Sequence, residues 1–208
     1  MSDTARIAVL VSGGGTNLQA LIDAQGVDRK GKNVIKSGRI ELVISSNPNA
    51  YALERAKKAG IPAHVASRKA LGGADAFEAR IKELLCEYKI DIIVLAGFMS
   101  ILSKDFVKAY PKRILNVHPS LIPSFCGAGF YGLRVHEAAL AYGVKVTGAT
   151  VHFVNEIPDG GEIIMQKAVA IRKDDTPETL QKRVMRLAEW KILPMAVEQV
   201  CADIVSQR

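Results

Sequence analysis

Two short runs narrow the choice of fold. Residues 6–12 (RIAVLVS) and 91–97 (DIIVLAG) are apolar at nearly every position and rich in β-branched side chains. A half-exposed strand alternates polar with apolar. A strand without alternation is covered on both faces, which points to a parallel sheet between two layers of helices.

The intervening chain supplies those layers. A helix is expected at residues 17–24, then a strand at 40–46 closed by Asn47 and Pro48. A helix over 50–60 stops at Gly60, and a short third strand follows at 62–66. Residues 75–89 carry helical spacing at Phe77, Ile81, Leu84 and Leu85. After the 91–97 strand come a short helix at 104–110 and a fifth strand at 113–117 (RILNV). This β-α-β-α rhythm predicts an α/β fold, a doubly wound, mostly parallel sheet with helices on both faces and right-handed crossovers. Further on the rhythm changes. Residues 144–154 and 161–171 are two long strand patterns joined by a turn, which adds an antiparallel strand at the sheet edge. Residues 176–205 close the chain as one helix or two. Thr176 suits the N-cap, Pro177 the first helical position, and Pro194 is expected to bend or break the helix. No linker, repeat or composition shift divides the chain, so residues 1–208 are read as one domain.

With 208 residues, 49% of them hydrophobic, a core forms without disulfides. Cys86, Cys126 and Cys201 are singletons without metal-ligand spacing, which predicts a reducing, cytoplasmic setting and no catalytic metal. No apolar run reaches membrane-spanning length, and the first residues lack a signal-peptide pattern. The formal charge of +7 suits an anionic partner. The basic residues are spread along the chain, often beside acids, as in ERAKKAG, and no basic block is interleaved with aromatics. A small anionic ligand is therefore favoured over nucleic acid, and no membrane contact is expected.

Four stretches can carry chemistry. VSGGGTN (residues 11–17) lies between a strand and a helix. Its glycines let backbone approach a ligand, and the helix N-terminus favours a phosphate. The dinucleotide fingerprint fails because Leu18 occupies the place of its third glycine, and no Lys-Ser or Lys-Thr pair completes an ATP P-loop. What remains is a cradle for one phosphate. Asn116 and His118 are two apart at the end of the fifth strand, so both project to one side, at the edge where such sheets bind ligands. Both can donate hydrogen bonds to a developing oxyanion. Asp159, in NEIPDGGEII, reads first as an ordinary turn residue. If the turn folds over the crevice, its carboxylate favours the protonated form of His118. LAGFMSILS (residues 95–103) reads as core packing or as an apolar slot for a flat heterocycle. His64, His136 and His152 show no catalytic spacing with each other.

In order and spacing, VLVSGGGTNLQAL, LAGFMSILS, ILNVHPSLIPSF, TGATVHFV and PDGGEIIMQKAV resemble the glycinamide ribonucleotide formyltransferases, folate-dependent enzymes of purine synthesis. The resemblance runs from about residue 6 to 194. It implies the formyltransferase fold, with a Rossmann-like nucleotide-binding N-terminal half (about 1–110) and a catalytic, folate-binding C-terminal half (about 111–208). It implies 10-formyltetrahydrofolate as cosubstrate, glycinamide ribonucleotide as acceptor, and a monomer or homodimer. Asn116, His118 and Asp159 match the family's catalytic trio. Gly14, Gly15, Thr16 and Asn17 match its phosphate loop, and Pro119, Arg186 and Glu189 further ribonucleotide contacts. Met99, Ser100, Ile101 and Leu102, with Asn155, Glu156, Ile157, Pro158, Asp159 and Asn116 itself, match folate-contacting positions. Ser100 stands where several relatives carry Arg, and residues 126–134 form a longer loop than in many of them. A formyltetrahydrofolate hydrolase and a non-catalytic nucleotide-binding module are the competing readings.

Overall fold

Strand β1 (Ala5–Val11) has no solvent face. Ala5, Ile7, Val9 and Val11 enter one apolar cluster, while Ala8 and Leu10 enter a second on the opposite side. The computed structural model describes residues 4–25 and 33–208. Its sheet has seven strands in the order β3-β2-β1-β4-β5-β6-β7. β2 (Gly38–Ser45), β3 (Ala63–Val65), β4 (Ile92–Leu95) and β5 (Ile114–His118) run parallel to β1. β6 (Val146–Phe153) pairs antiparallel with β5 and with the edge strand β7 (Ile163–Ala170). The antiparallel part thus lies at one edge, as expected, with β6 the reversed strand.

Both faces are covered. The first cluster packs Leu18 and Leu21 of α1 (Thr16–Gln25), Ala52 and Ala56 of α2 (Tyr51–Lys58), and the C-terminal helices against the sheet. The second packs Phe77, Ile81 and Leu84 of α3 (Ala74–Glu87) and Phe106 of α4 (Lys104–Ala109). Ser103 caps α4 by accepting from the Phe106 amide. The strand order reverses between β1 and β4, so the chain leaves these neighbours in opposite directions and opens a crevice at their C-terminal ends.

Two details depart from the sequence reading. Residues 126–134 are not wholly loop, because α5 (Leu133–Tyr142) begins within them. Its buried Val135, His136 and Ala139 form one narrow face, and Gly143, left-handed at φ 83°, ends it. Pro194 does not break the last helix. α6 (Pro177–Val184), started by the Thr176 capping box, passes into a π-helical turn, Met185–Glu189, and then into α7 (Trp190–Ser206), which contains Pro194. In a regular helix the proline ring collides with the Trp190 carbonyl; the widened turn directly ahead is where the chain accommodates it.

Candidate active site

The residues of the expected phosphate cradle follow the C-terminal end of β1. Carbonyl oxygens of Gly13 and Gly14 are drawn toward α2, accepting from the Ala52 amide at 3.1 Å and from Arg55 Nε at 2.8 Å. Gly15 is left-handed (φ 69°), and a Cβ there would stand 2.7 Å from the Ala52 Cβ. Thr16 and Asn17 open α1, whose first amides lack intrahelical acceptors. Buried Asn17 donates through Nδ2 to Glu189 Oε2 at 2.8 Å, while its Oδ1 is buried without a partner among the described residues. Glu189 is only 6% exposed, and burial pushes its carboxyl up to about 7 against the opposing pull of Asn17. Arg186 lies exposed on the π-helical turn, and Pro119 is half-buried after β5.

The proposed trio comes together at the end of β5. Ile114 lies on the α3/α4 side of the sheet, and period two places Asn116 and His118 there as well. His118 is 4% exposed; its Nε2–H donates to the Phe125 carbonyl at 2.9 Å. That anchor leaves Nδ1 facing Asp159, 3.5 Å from Oδ2. Asn116 Nδ2 lies 3.5 Å from Asp159 Oδ1. Asp159 has a left-handed backbone (φ 55°), which Asp tolerates in a tight turn, and the Gly127 amide donates to its Oδ2 at 2.9 Å. Burial pushes the Asp159 carboxyl up, but His152, the Gly127 amide and the charge of His118 outweigh it and hold the carboxyl below its ordinary value.

The two folate-matching segments form the lips of the crevice. Met99 and Ile101 are 58% and 84% exposed, Ile157 64%, whereas Leu102 packs on the second cluster. Ser100 is half-buried, and Asn155, Glu156 and Pro158 are exposed. The turn is braced from within, where Asn155 Oδ1 accepts from the Ile157 amide at 2.9 Å, and from α4, where Lys108 pairs with Glu156 at 3.3 Å. A cavity of about 330 Å³ lined by Val107, Val154 and Asn155 opens beside it.

Three contributors escaped the sequence reading. His152 stands opposite Asn116 in the β5–β6 register, with Nε2 3.2 Å from Asn116 Nδ2 and 3.6 Å from Asp159 Oδ1. Only the antiparallel pairing of β6 reveals it. The Phe125 carbonyl and the Gly127 amide hold His118 and Asp159 by backbone groups, which carry no side-chain signature. Cys126 lies between them, and its thiol is pushed up by burial and then by the charge of Asp159. Among the described residues no group of three or more His, Cys, Asp or Glu is placed to hold a metal, and no helix is long and apolar enough to cross a membrane.

The fold and this crevice define the class: a Rossmann-like α/β protein whose polar cluster, at the carboxyl edge of a parallel sheet, faces an apolar-lipped cleft. The formyl transferase family pattern matches residues 5–197. The Escherichia coli (strain K12) phosphoribosylglycinamide formyltransferase is 39% identical over 92% of this chain and 84% of that protein. The human trifunctional purine biosynthetic protein adenosine-3 is 46% identical over 97% of this chain, which spans 19% of that relative. The solved glycinamide ribonucleotide transformylase 1 from Symbiobacterium toebii superposes with a TM-score of 0.84 at 42% identity, covering 95% of this chain and 88% of that one. The chain belongs to the formyl transferase family, and within it to the phosphoribosylglycinamide formyltransferases.

Proposed function

We propose that the chain transfers the formyl group of 10-formyltetrahydrofolate to the amine of glycinamide ribonucleotide, a step of de novo purine biosynthesis. The observation that carries this reading is the convergence of Asn116 and His118, both on β5, with Asp159 of the β6–β7 turn, at 3.5 Å from Asp159 to each partner. The relatives' names and the coverage of the E. coli enzyme support it.

The neutral amine attacks the formyl carbon, and the carbonyl oxygen takes the charge of a tetrahedral intermediate. The Asn116 amide and the protonated Nδ1 of His118 donate to that oxygen, each worth roughly 3–4 kcal/mol in a site closed to water. Asp159 balances the imidazolium and organises a water that moves a proton from the attacking nitrogen to the leaving N10. The C–N10 bond then breaks, releasing tetrahydrofolate and formylated ribonucleotide. No covalent enzyme intermediate is needed; holding both substrates in place supplies a further share of the acceleration.

The chain halves contribute to both subsites. Gly14, Gly15, Thr16 and Asn17 hold the phosphate, and Glu189, with Arg186 and Pro119, the rest of the ribonucleotide. Met99, Ser100, Ile101 and Leu102, with residues 155–159 and Asn116, take the folate, whose flat ring suits the apolar lips. The free thiols of Cys86, Cys126 and Cys201 support a reducing, cytoplasmic compartment.

An absorbance assay of 10-formyltetrahydrofolate, with and without glycinamide ribonucleotide, tests the function. Loss of the formyl donor only when the ribonucleotide is present is expected. Equal loss without it makes the chain a hydrolase, and no loss in either case makes it a binder. Removing the ribonucleotide's phosphate should weaken binding sharply.

A further inference from the structure

We propose that Ser12 couples the two substrate subsites, so that ribonucleotide bound at the glycine loop tightens the hold on folate. This rests on the assignment of those subsites above. Ser12 is the first residue after β1, adjoining Gly13 and Gly14. Its Oγ accepts from the Met99 amide at 2.8 Å. Among the described residues this is the one hydrogen bond between residues 12–17 and residues 97–102. An amide N–H only donates, so the Ser12 oxygen is the acceptor there. The second contact of Ser12 Oγ is Ser46 Oγ at 2.7 Å, where one hydroxyl donates to the other.

The surroundings make this serine a joint rather than a loose contact. The Ser46 amide donates to the Val11 carbonyl at 3.0 Å, and Asn47 Nδ2 reaches the Ser12 carbonyl at 3.4 Å. The end of β2 therefore grips the end of β1 on one side of Ser12. On its other side Gly13 and Gly14 are tied to α2 through Ala52 and Arg55. Because β1 lies between β2 and β4, the loops leaving β1 and β4 are neighbours at the reversal of strand order. A phosphate that orders residues 13–17 fixes the Ser12 hydroxyl. That hydroxyl in turn fixes the Met99 backbone, from which Ser100, Ile101 and Leu102 follow. Ser12 is thus a positioning residue acting through Met99.

Linkage makes the prediction reciprocal: each ligand tightens the other by the same factor. Tetrahydrofolate lacks the formyl group, so its binding can be titrated calorimetrically with and without saturating glycinamide ribonucleotide, without turnover. In the wild type the ribonucleotide should tighten tetrahydrofolate about three- to tenfold, the range one net hydrogen bond commands. In Ser12→Ala that factor should fall to about one. Ser12→Thr keeps the hydroxyl and should restore it, and Ser46→Ala should reduce it in part. A purely structural role for Ser12 would weaken both ligands, or lower the thermal midpoint, with the factor intact; that result overturns the proposal. So does a wild type with a factor of one. If the wild type transfers formyl while Ser12→Ala keeps full coupling, only the role of Ser12 falls. If the wild type neither transfers formyl nor binds tetrahydrofolate, the subsite assignment falls with it.

Discussion

Asn17, in the first turn of α1, donates to Glu189, at the end of the π-helical turn, at 2.8 Å across 172 positions of sequence. The contact pins the glycine loop to the C-terminal helices and keeps an acid inside the protein. Glu189 has Asn17 as its side-chain donor and, among the described residues, no ion-pair partner. Its burial therefore appears as a raised pKa, not as an ion pair.

A pH dependence of stability follows from Glu189 and from buried His136, which among the described residues has no hydrogen-bond partner on either ring nitrogen. The unfolded chain loses the Glu189 proton near 4.5, the folded chain near 7. Between those values the folded state binds more protons, so stability falls as pH rises, by about 3 kcal/mol in all. His136 is lowered to about 4, by burial and then by neighbouring His118. Its unfolded form binds more protons between 4 and 6.5, so stability falls as pH drops, by a similar amount. The two contributions oppose each other over nearly the same window. Glu189→Gln should leave a protein that loses urea resistance between about pH 7 and pH 5, and His136→Leu one that gains it. Parallel pH profiles for wild type and both variants would refute this.

Gly15→Ala should damage ribonucleotide binding first. The new Cβ would meet the Ala52 Cβ at 2.7 Å and its Cα at 2.9 Å, in a backbone conformation that L-residues rarely adopt. The loop or α2 has to shift, at a cost of about 1–3 kcal/mol. Steady-state kinetics should show the ribonucleotide KM raised at least about tenfold, since the cradle is a backbone one. The wild-type preference for phosphorylated over dephosphorylated substrate should largely vanish. An unchanged preference would remove the phosphate from this loop.

How much of this could be read beforehand depends on which physical signal carries each part. β1 and β4 announced a doubly covered sheet because burial on both faces abolishes alternation. Asn116 and His118 could be paired because a strand has period two, and the turn at Asp159 shows itself by Pro-Asp-Gly-Gly. His152 could not be found this way. Its partnership with Asn116 depends on the β5–β6 register, which no local pattern specifies. The Phe125 carbonyl and the Gly127 amide are backbone groups, present at almost every residue, and only folding selects them. α5 was hidden because its glycine-rich approach looks like loop and its buried face is short. Pro194 misled because its effect appears ahead of it, in the turn that ends at Glu189.

Gly161→Ala should separate the turn's geometry from its charge. A Cβ at Gly161 would fall 1.7 Å from the Phe153 carbonyl oxygen, so the strand end and the turn carrying Asp159 cannot both keep their places. Transfer activity should fall at least about tenfold while the ribonucleotide Kd, set across the crevice, changes less than about twofold. Titration calorimetry beside the absorbance assay distinguishes this from general unfolding, which would abolish both.

Asp159→Asn tests the chemistry most directly. The amide keeps the shape of the carboxylate and can still accept from Gly127, but it brings no charge to His118 or His152. The Asp159 carboxyl is held below its ordinary value of 3.8, so it is ionised throughout the neutral range. Its stabilising contribution is present above the unfolded value of 3.8 and fades only as pH falls through the lowered one. The wild-type rate should therefore show no acid limb from this group above about pH 4. Asp159→Asn and His118→Ala should each lower kcat by about 10²–10³ with the ribonucleotide KM little changed, the mark of interactions made in the transition state. The double variant should lose much less than the product of the two, because the carboxylate acts on the oxyanion through the imidazole it faces. Single-turnover rates at saturating substrates measure all three. A turnover near wild type in either single variant, or full multiplication of the two losses, would remove Asp159 and His118 from a shared role in the transfer.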